Sequence, residues 1–284
     1  MKALDPLLNW LRNLAIKRLE ATRKVYEQRT YNNMDKLLGV IQKGDVVLVE
    51  GRSDISRFIK LFTNSSWSHS ALYIGDELIE KDGLSKEKYQ MEFGADAGNL
   101  LIEAEVGKGV TITPLRKYQD HNIRICRPYG ILPQDLESVI QTTISNLGKH
   151  YDNQNIIDIG LMLLPFRLNP FKKHTINACL GSCNEFRVIC SGMIAKSFQS
   201  MSYPIVPVLQ KLQPAKPVLG DNPYGSRLIM RHYSQILPRD FDISPNFEVI
   251  KFNIIGDRNF DYKSLWAEDG SDALSLFRES TTVY

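Results

Sequence analysis

Three positions carry residue types that could do covalent chemistry together: His69 in WSHSALYIG, Glu103 in LIEAEVGKGV and Cys190 in VICSGMIAKSF. A cysteine attacks a carbonyl only as its thiolate, and two devices lower a thiol pKa. One is the first turn of a helix, where free N–H groups and the macrodipole favour negative charge. Met193, Ile194, Ser197, Phe198 and Met201 follow Cys190 at helical spacing, which predicts a helix opening at the cysteine. The other device is an imidazole partner, which His69 could supply from a neighbouring strand. A carboxylate behind the imidazole would fix its tautomer and orientation. Glu103 is placed for that role on a following strand. Glu105, two residues on and on the same strand face, is its competitor.

Each residue also has an ordinary reading. A lone buried cysteine is usually a small hydrophobe, and a lone histidine a satisfied structural group. Cys179, Cys183 and Cys190 with His174 could be taken for a zinc site. Their spacings, three and six intervening residues with no second CxxC pair, speak against it, so no metal is expected. No phosphate-cradling glycine loop is present, and no cofactor is expected. Tyr118, Tyr129 and Phe171 are read as core or rim residues.

The elements that must position these groups follow from periodicity. Residues 4–42 read as helix, with Leu4, Leu7, Leu8, Leu11, Leu14 and Ala15 at three- and four-residue spacing and a break near 31–35. Val46 to Glu50 is a β-branched strand. Ser53 caps a helix to Phe62, and residues 63–68 are turn chemistry. In the strand His69 to Gly75, His69, Ala71 and Tyr73 share one face. Residues 76–99 are polar and glycine-containing and are expected to be an insertion loop. Strands follow at 100–106, 110–113 and 122–127, then a helix at 133–147. Beyond the nucleophile helix, Pro204, Pro207, Pro214, Pro217 and Pro223 predict coil or a wrapping arm. Short strands resume over 226–252.

The order of these motifs resembles the circularly permuted papain-like cysteine hydrolases of the NlpC type, in the YiiX-like branch. GDVVLVEGRSDISRFIKLFTNSSWSHSALYIG is similar to that family's opening, where a Gly-Asp strand and a helix precede the strand with the catalytic histidine. LIEAEVGKGVTITPL resembles the strand pair whose glutamate is the third catalytic member. LGKHYDNQNI resembles the Gly-x-x-Tyr-Asp segment ahead of the nucleophile, ICSGMIAKSF its Cys-Ser helix start, and LPRDFDISPNFEVIK its closing segment. Gly192 stands where the family usually has an acidic residue. The permutation accounts for the order His, Glu, Cys.

The resemblance implies an α+β fold: a small antiparallel sheet or half-barrel with helices on one side, the nucleophile helix among them. It implies a domain over 43–252, flanked by a helical N-terminal extension (1–42) and a C-terminal tail (253–284). It implies a cysteine hydrolase acting on an amide, a peptide or cell-wall-type fragment, through Cys190, His69 and Glu103. Trp67, Ser68, Tyr151 and Asp152 are the candidate substrate-binding residues; capping of its own loop is the competing reading for Asp152. Two alternatives stand beside it. One is lipid acyl transfer or thioester hydrolysis, as in lecithin:retinol-acyltransferase-like relatives; the other is a binding module that has lost turnover.

Composition bounds the partners. The 284 residues carry a net charge of +3, with 43% hydrophobic and 24% charged residues, which excludes global disorder. Residues 1–30 hold seven Lys/Arg against three acids, a net +4, so the other 254 residues sum to −1. A neutral body argues against a nucleic-acid binder. With no apolar run of 18 residues and no secretory signal pattern, the expected location is cytoplasmic, with thiols reduced. The basic amphipathic N-terminus could contact an anionic membrane surface, or pack on the domain beside it. Deleting residues 1–30 separates the two. Loss of vesicle sedimentation with an unchanged melt is expected for the membrane role, at about 1 kcal/mol per basic side chain. Early melting, with no vesicle binding by the full chain, supports packing.

Overall fold

Val46–Val49 is buried at all four positions. A strand that is apolar on both faces must be covered on both. The computed structural model describes residues 32–80, 83–105, 107–151, 187–188, 190–211 and 226–252. Its main sheet has six antiparallel strands in the order β10-β5-β1-β2-β3-β4. They are β1 (Val46–Val49), β2 (His69–Gly75), β3 (Leu100–Glu105), β4 (Gly109–Pro114), β5 (Ile123–Pro128) and β10 (Phe247–Ile250). Helices α1 (Met34–Val40), α2 (Asp54–Thr63), α5 (Pro133–Ile144), α6 (Cys190–Ser200) and α7 (Pro238–Asp242) complete the frame. The chain is therefore α+β.

One face of the sheet packs under α6. Val46, Leu48, Leu72, Ile74 and Ile102 meet Met193, Ile194 and Phe198 in a single core. Phe198 is fully buried and stands edge-on to Phe247 with ring centroids 5.2 Å apart, and Phe241 meets Phe247 at 5.3 Å. Buried hydroxyls fix the helix along its axis. Ser191 Oγ donates to the Ile236 carbonyl at 2.7 Å, and Thr143 Oγ1 on α5 donates to Ser197 Oγ at 3.0 Å.

The opposite face holds a second core of Val47, Val49, Ala71, Tyr73, Leu101, Leu115 and Tyr118, closed by Leu37 and Ile41. This corrects the expectation of helices on one side only. The reason is the apolar character of alternate residues in β1, β2 and β3, which leaves neither face able to meet water. Residues 32–41, assigned to the helical N-terminal extension, pack on the domain beside them through Leu37 and Ile41. Asn32 Nδ2 also donates to the carbonyls of Gln119 and His121 at 2.9 and 2.6 Å. The helix expected before residue 31 and the tail from 253 lie outside the described residues.

Two other expectations change. Residues 76–99 form α3 (Glu77–Glu80), α4 (Gly83–Phe93) and a 3-10 turn (Gly94–Gly98) rather than a loop. KEKYQMEF is rich in strong helix formers but has little apolar stripe, so periodicity does not reveal it. Within the proline-rich stretch, β8 (Pro207–Lys211) pairs antiparallel with β9 (Ser226–Met230). Proline is tolerated there because it opens the strand, where its missing N–H costs no ladder bond. A parallel pair, β6 (His150–Tyr151) and β7 (Arg187–Val188), precedes α6.

If Phe198 seats α6, Phe198→Ala should lower stability by about 3–5 kcal/mol. Urea denaturation checks this, and a loss under 1 kcal/mol would contradict the packing account.

Candidate active site

The end of β2 is where the two cores meet. His69, the first residue of β2, lies on the face of Ala71 and Tyr73, while Cys190 opens α6 and belongs to the core on the other face. The two side chains face each other at the strand's beginning, close enough for their charges and hydrogen-bonding groups to couple. His69 Nε2 is engaged by Glu103 Oε2 at 2.6 Å, so Nδ1 is the ring nitrogen left for the sulfur. The structure thus brings the three sequence-selected residues together as Cys190–His69–Glu103.

The ladder alone would not have chosen Glu103. It pairs Ala71 with Glu103, and its continuation sets Glu105 opposite His69. Glu103 reaches the ring diagonally, a distance long side chains span across a sheet. Glu105 is drawn away instead: it takes Lys108 Nζ at 2.7 Å and also Lys117.

Glu103 has no exposed surface. Besides His69, it accepts from Lys117 Nζ at 2.6 Å and from the Tyr118 hydroxyl. Both donors come from one 3-10 turn, Leu115–Tyr118, that follows β4. Sequence reading missed this pair. Tyr118 was expected to be core or rim, and it is core, with its polar end on the carboxylate. The signal available was the polar pair Lys117–Tyr118 three residues past a strand end, but the turn's direction is set by tertiary packing.

The electrostatics follow from burial opposed by neighbouring charge. Burial alone would raise the Glu103 pKa, but His69 and Lys117 bring it down to about 2. Burial alone would lower that of His69, but Cys190 and Glu103 raise it to about 10. Burial alone would raise that of the Cys190 thiol. The charge and hydrogen bond of His69, with the backbone N–H groups of Ser70 and Ser191, bring it below the ordinary thiol value. The other free thiol among the described residues, Cys126, is fully buried and pushed far up by desolvation. The arrangement favours a thiolate–imidazolium pair at Cys190 and not at Cys126.

The substrate-binding candidates divide. Trp67 is buried; its Nε1 donates to Asp242 Oδ2 at 2.9 Å, and the Arg124 guanidinium sits 5.1 Å from its ring centre. With Asn64, Ile123, Arg124, Arg239, Asp242 and Ile243 it lines a cleft of about 680 Å³ of mixed polar and apolar character, which none of Cys190, His69 and Glu103 lines. Ser68 is buried and its hydroxyl accepts the Gly51 N–H at 2.9 Å, a structural use. The backbone of Tyr151 lies in β6, whereas Asp152 lies outside the described residues, as do Cys179, Cys183 and His174. Among the described residues, no group of three or more His, Cys, Asp or Glu side chains is arranged to hold a metal ion.

The pKa directions give stability a pH signature. The Glu103 contribution is present above its unfolded value of about 4.3 and is lost as pH falls towards 2. The His69 contribution is full below its unfolded value of about 6.5 and is lost as pH rises towards 10. The stability gap between the wild type and Glu103→Gln should therefore be full above about pH 4.3 and should narrow as pH falls towards 2. Urea midpoints across that range measure it. A gap that stays flat or widens as pH falls would contradict the buried charge.

Comparison with known proteins bears on this geometry. Residues 40–158, about two-fifths of the chain, match the family described as permuted papain-like amidase enzymes, YaeF/YiiX, C92 family. The match takes in His69 and Glu103 and stops before Cys190. No curated protein matches. A solved structure, the yiiX protein of Escherichia coli O157:H7, described as a metalloprotein, aligns at 18% identity over 74% of this chain and 97% of its own, with a TM-score of 0.43. No helix among the described residues is long and apolar enough to cross a membrane. Over residues 40–158 the chain is thus similar to the permuted papain-like amidases of the YaeF/YiiX type.

Proposed function

We propose that the protein is a thiol-dependent amidase acting on a small peptide-like or cell-wall-type substrate. The observation that carries the reading is the single imidazole of His69, shared between Cys190 and a Glu103 carboxylate 2.6 Å away. The family match supports amide hydrolysis as the class of reaction.

In this reading Cys190 is already a thiolate and His69 already holds its proton. The sulfur attacks the amide carbonyl, forming an S–C bond, and the C–N bond breaks as His69 gives its proton to the leaving amine. His69 then takes a proton from water, whose oxygen attacks the thioester. The thiolate leaves and the acid product is released. Glu103 holds the ring in one tautomer throughout and stabilises its charged form.

Intact-mass measurement under acid quench, with a library of small peptide amides and acyl-lipid esters as separate arms, tests the reading. An acyl adduct on Cys190 from an amide donor is expected. Cys190→Ala should abolish turnover, and Glu103→Gln should slow it by roughly 10²-fold or more. Adducts only from lipid donors would favour the acyltransferase reading. No adduct from either arm would favour a binding module.

A further inference from the structure

A buried carboxylate beside a thiolate poses a problem that the triad alone does not solve. If Cys190 and Glu103 are both negative, His69 is a single cation between two anions. Glu103 is fully buried, so water does not screen its charge. Lys117 Nζ stands 2.6 Å from Glu103 Oε1, on the carboxylate oxygen that His69 does not use. The same ammonium also bonds Glu105, which takes Lys108 at 2.7 Å. Lys117 is only one-third exposed, and its ammonium lies 5.1 Å from the Tyr118 ring centre. These contacts hold its side chain at the inner carboxylate.

We infer that Lys117 is a positioning residue of the catalytic centre: it pins Glu103 against His69 and cancels the carboxylate's charge, so that the Cys190 thiolate is tolerated beside it. The inference rests on the proposed thiol chemistry and extends it. Counted over all groups facing the carboxylate, the balance closes. The sheet contributes His69 from β2 and Glu103 and Glu105 from β3. The β3–β4 hairpin contributes Lys108, the 3-10 turn Lys117 and Tyr118, and α6 Cys190. His121 stands edge-on to Tyr118 at 5.4 Å, with burial and nearby cations holding its pKa down to about 4. It is therefore neutral, as is the Tyr118 phenol. Three cations then face three anions. Without Lys117 the cluster carries one net negative charge, and the thiolate is the member able to give it up by taking a proton.

Glu105 sets the grip. It shares Lys117 with Glu103, so removing its charge leaves the ammonium wholly to the inner carboxylate and takes one anion from the neighbourhood. Lys117→Met and Glu105→Gln should thus move the thiol in opposite directions, which a residue holding only the fold would not do.

The test is the rate of iodoacetamide alkylation of Cys190 against pH, read by peptide mass spectrometry on the full-length chain, with a thermal melt of each variant. Lys117→Met should raise the alkylation midpoint by roughly one pH unit. Lys117→Arg should stay near the wild type, and Glu105→Gln should lower the midpoint. An unmoved midpoint in folded Lys117→Met, or a Glu105→Gln shift in the same direction, overturns the inference. If Lys117→Met does not fold, the other two variants decide: a lowered midpoint in Glu105→Gln with Lys117→Arg unchanged supports it, and no shift in Glu105→Gln overturns it. A wild-type midpoint equal to that of an ordinary thiol overturns the proposed thiol chemistry itself, and this inference with it.

Discussion

Glu103 carries its charge where no water reaches it. A carboxylate in that position must be neutralised and hydrogen-bonded from inside the protein, or it takes up a proton and loses its hold on the histidine. Much of the local architecture serves that requirement. β2 delivers the imidazole, and the turn after β4 delivers an ammonium and a phenol to the same group. In return the carboxylate fixes the ring's free face. That leaves Nδ1 for a sulfur arriving from a different element on the far side of the sheet.

The two cores explain why this meeting is reproducible. α6 is set on one face by the Phe198–Phe247–Phe241 cluster and by the Ser191 and Ser197 hydroxyls. The turn bearing Lys117 and Tyr118 is set on the other, where Leu115 and Tyr118 pack with Leu37 and Ile41. Asn32 ties the chain just before α1 to the backbone around that turn. A change in either core would displace one partner of the Cys190–His69 contact relative to the other. The two faces are therefore coupled through the site.

Much of this was legible in the sequence because strand and helix periods are local. The alternation of His69, Ala71 and Tyr73 placed the histidine on one face, and the spacing after Cys190 opened a helix at the thiol; both agree with β2 and α6. The choice between Glu103 and Glu105 was not legible, since both share a face and the ladder's own register favours the wrong one. What decides it is the pull of Lys108 and Lys117 on Glu105, a tertiary contact. Helix α4 stayed hidden because its residues favour helix without forming an apolar stripe. The second core was signalled by β1, which is apolar on both faces, but the groups that close it, Leu37, Leu115 and Tyr118, come from separate parts of the chain and meet only in the fold.

The central claim is that Cys190 rests as a thiolate paired with protonated His69. The most direct measurement is the ultraviolet absorbance of the thiolate, titrated as the difference between the wild type and Cys190→Ser. The account predicts a thiolate signal already developed well below the free-thiol pKa of about 8.5, and its displacement to or above that value in His69→Ala. A signal that appears only near 8.5 or higher in the wild type, unchanged by loss of His69, would contradict it.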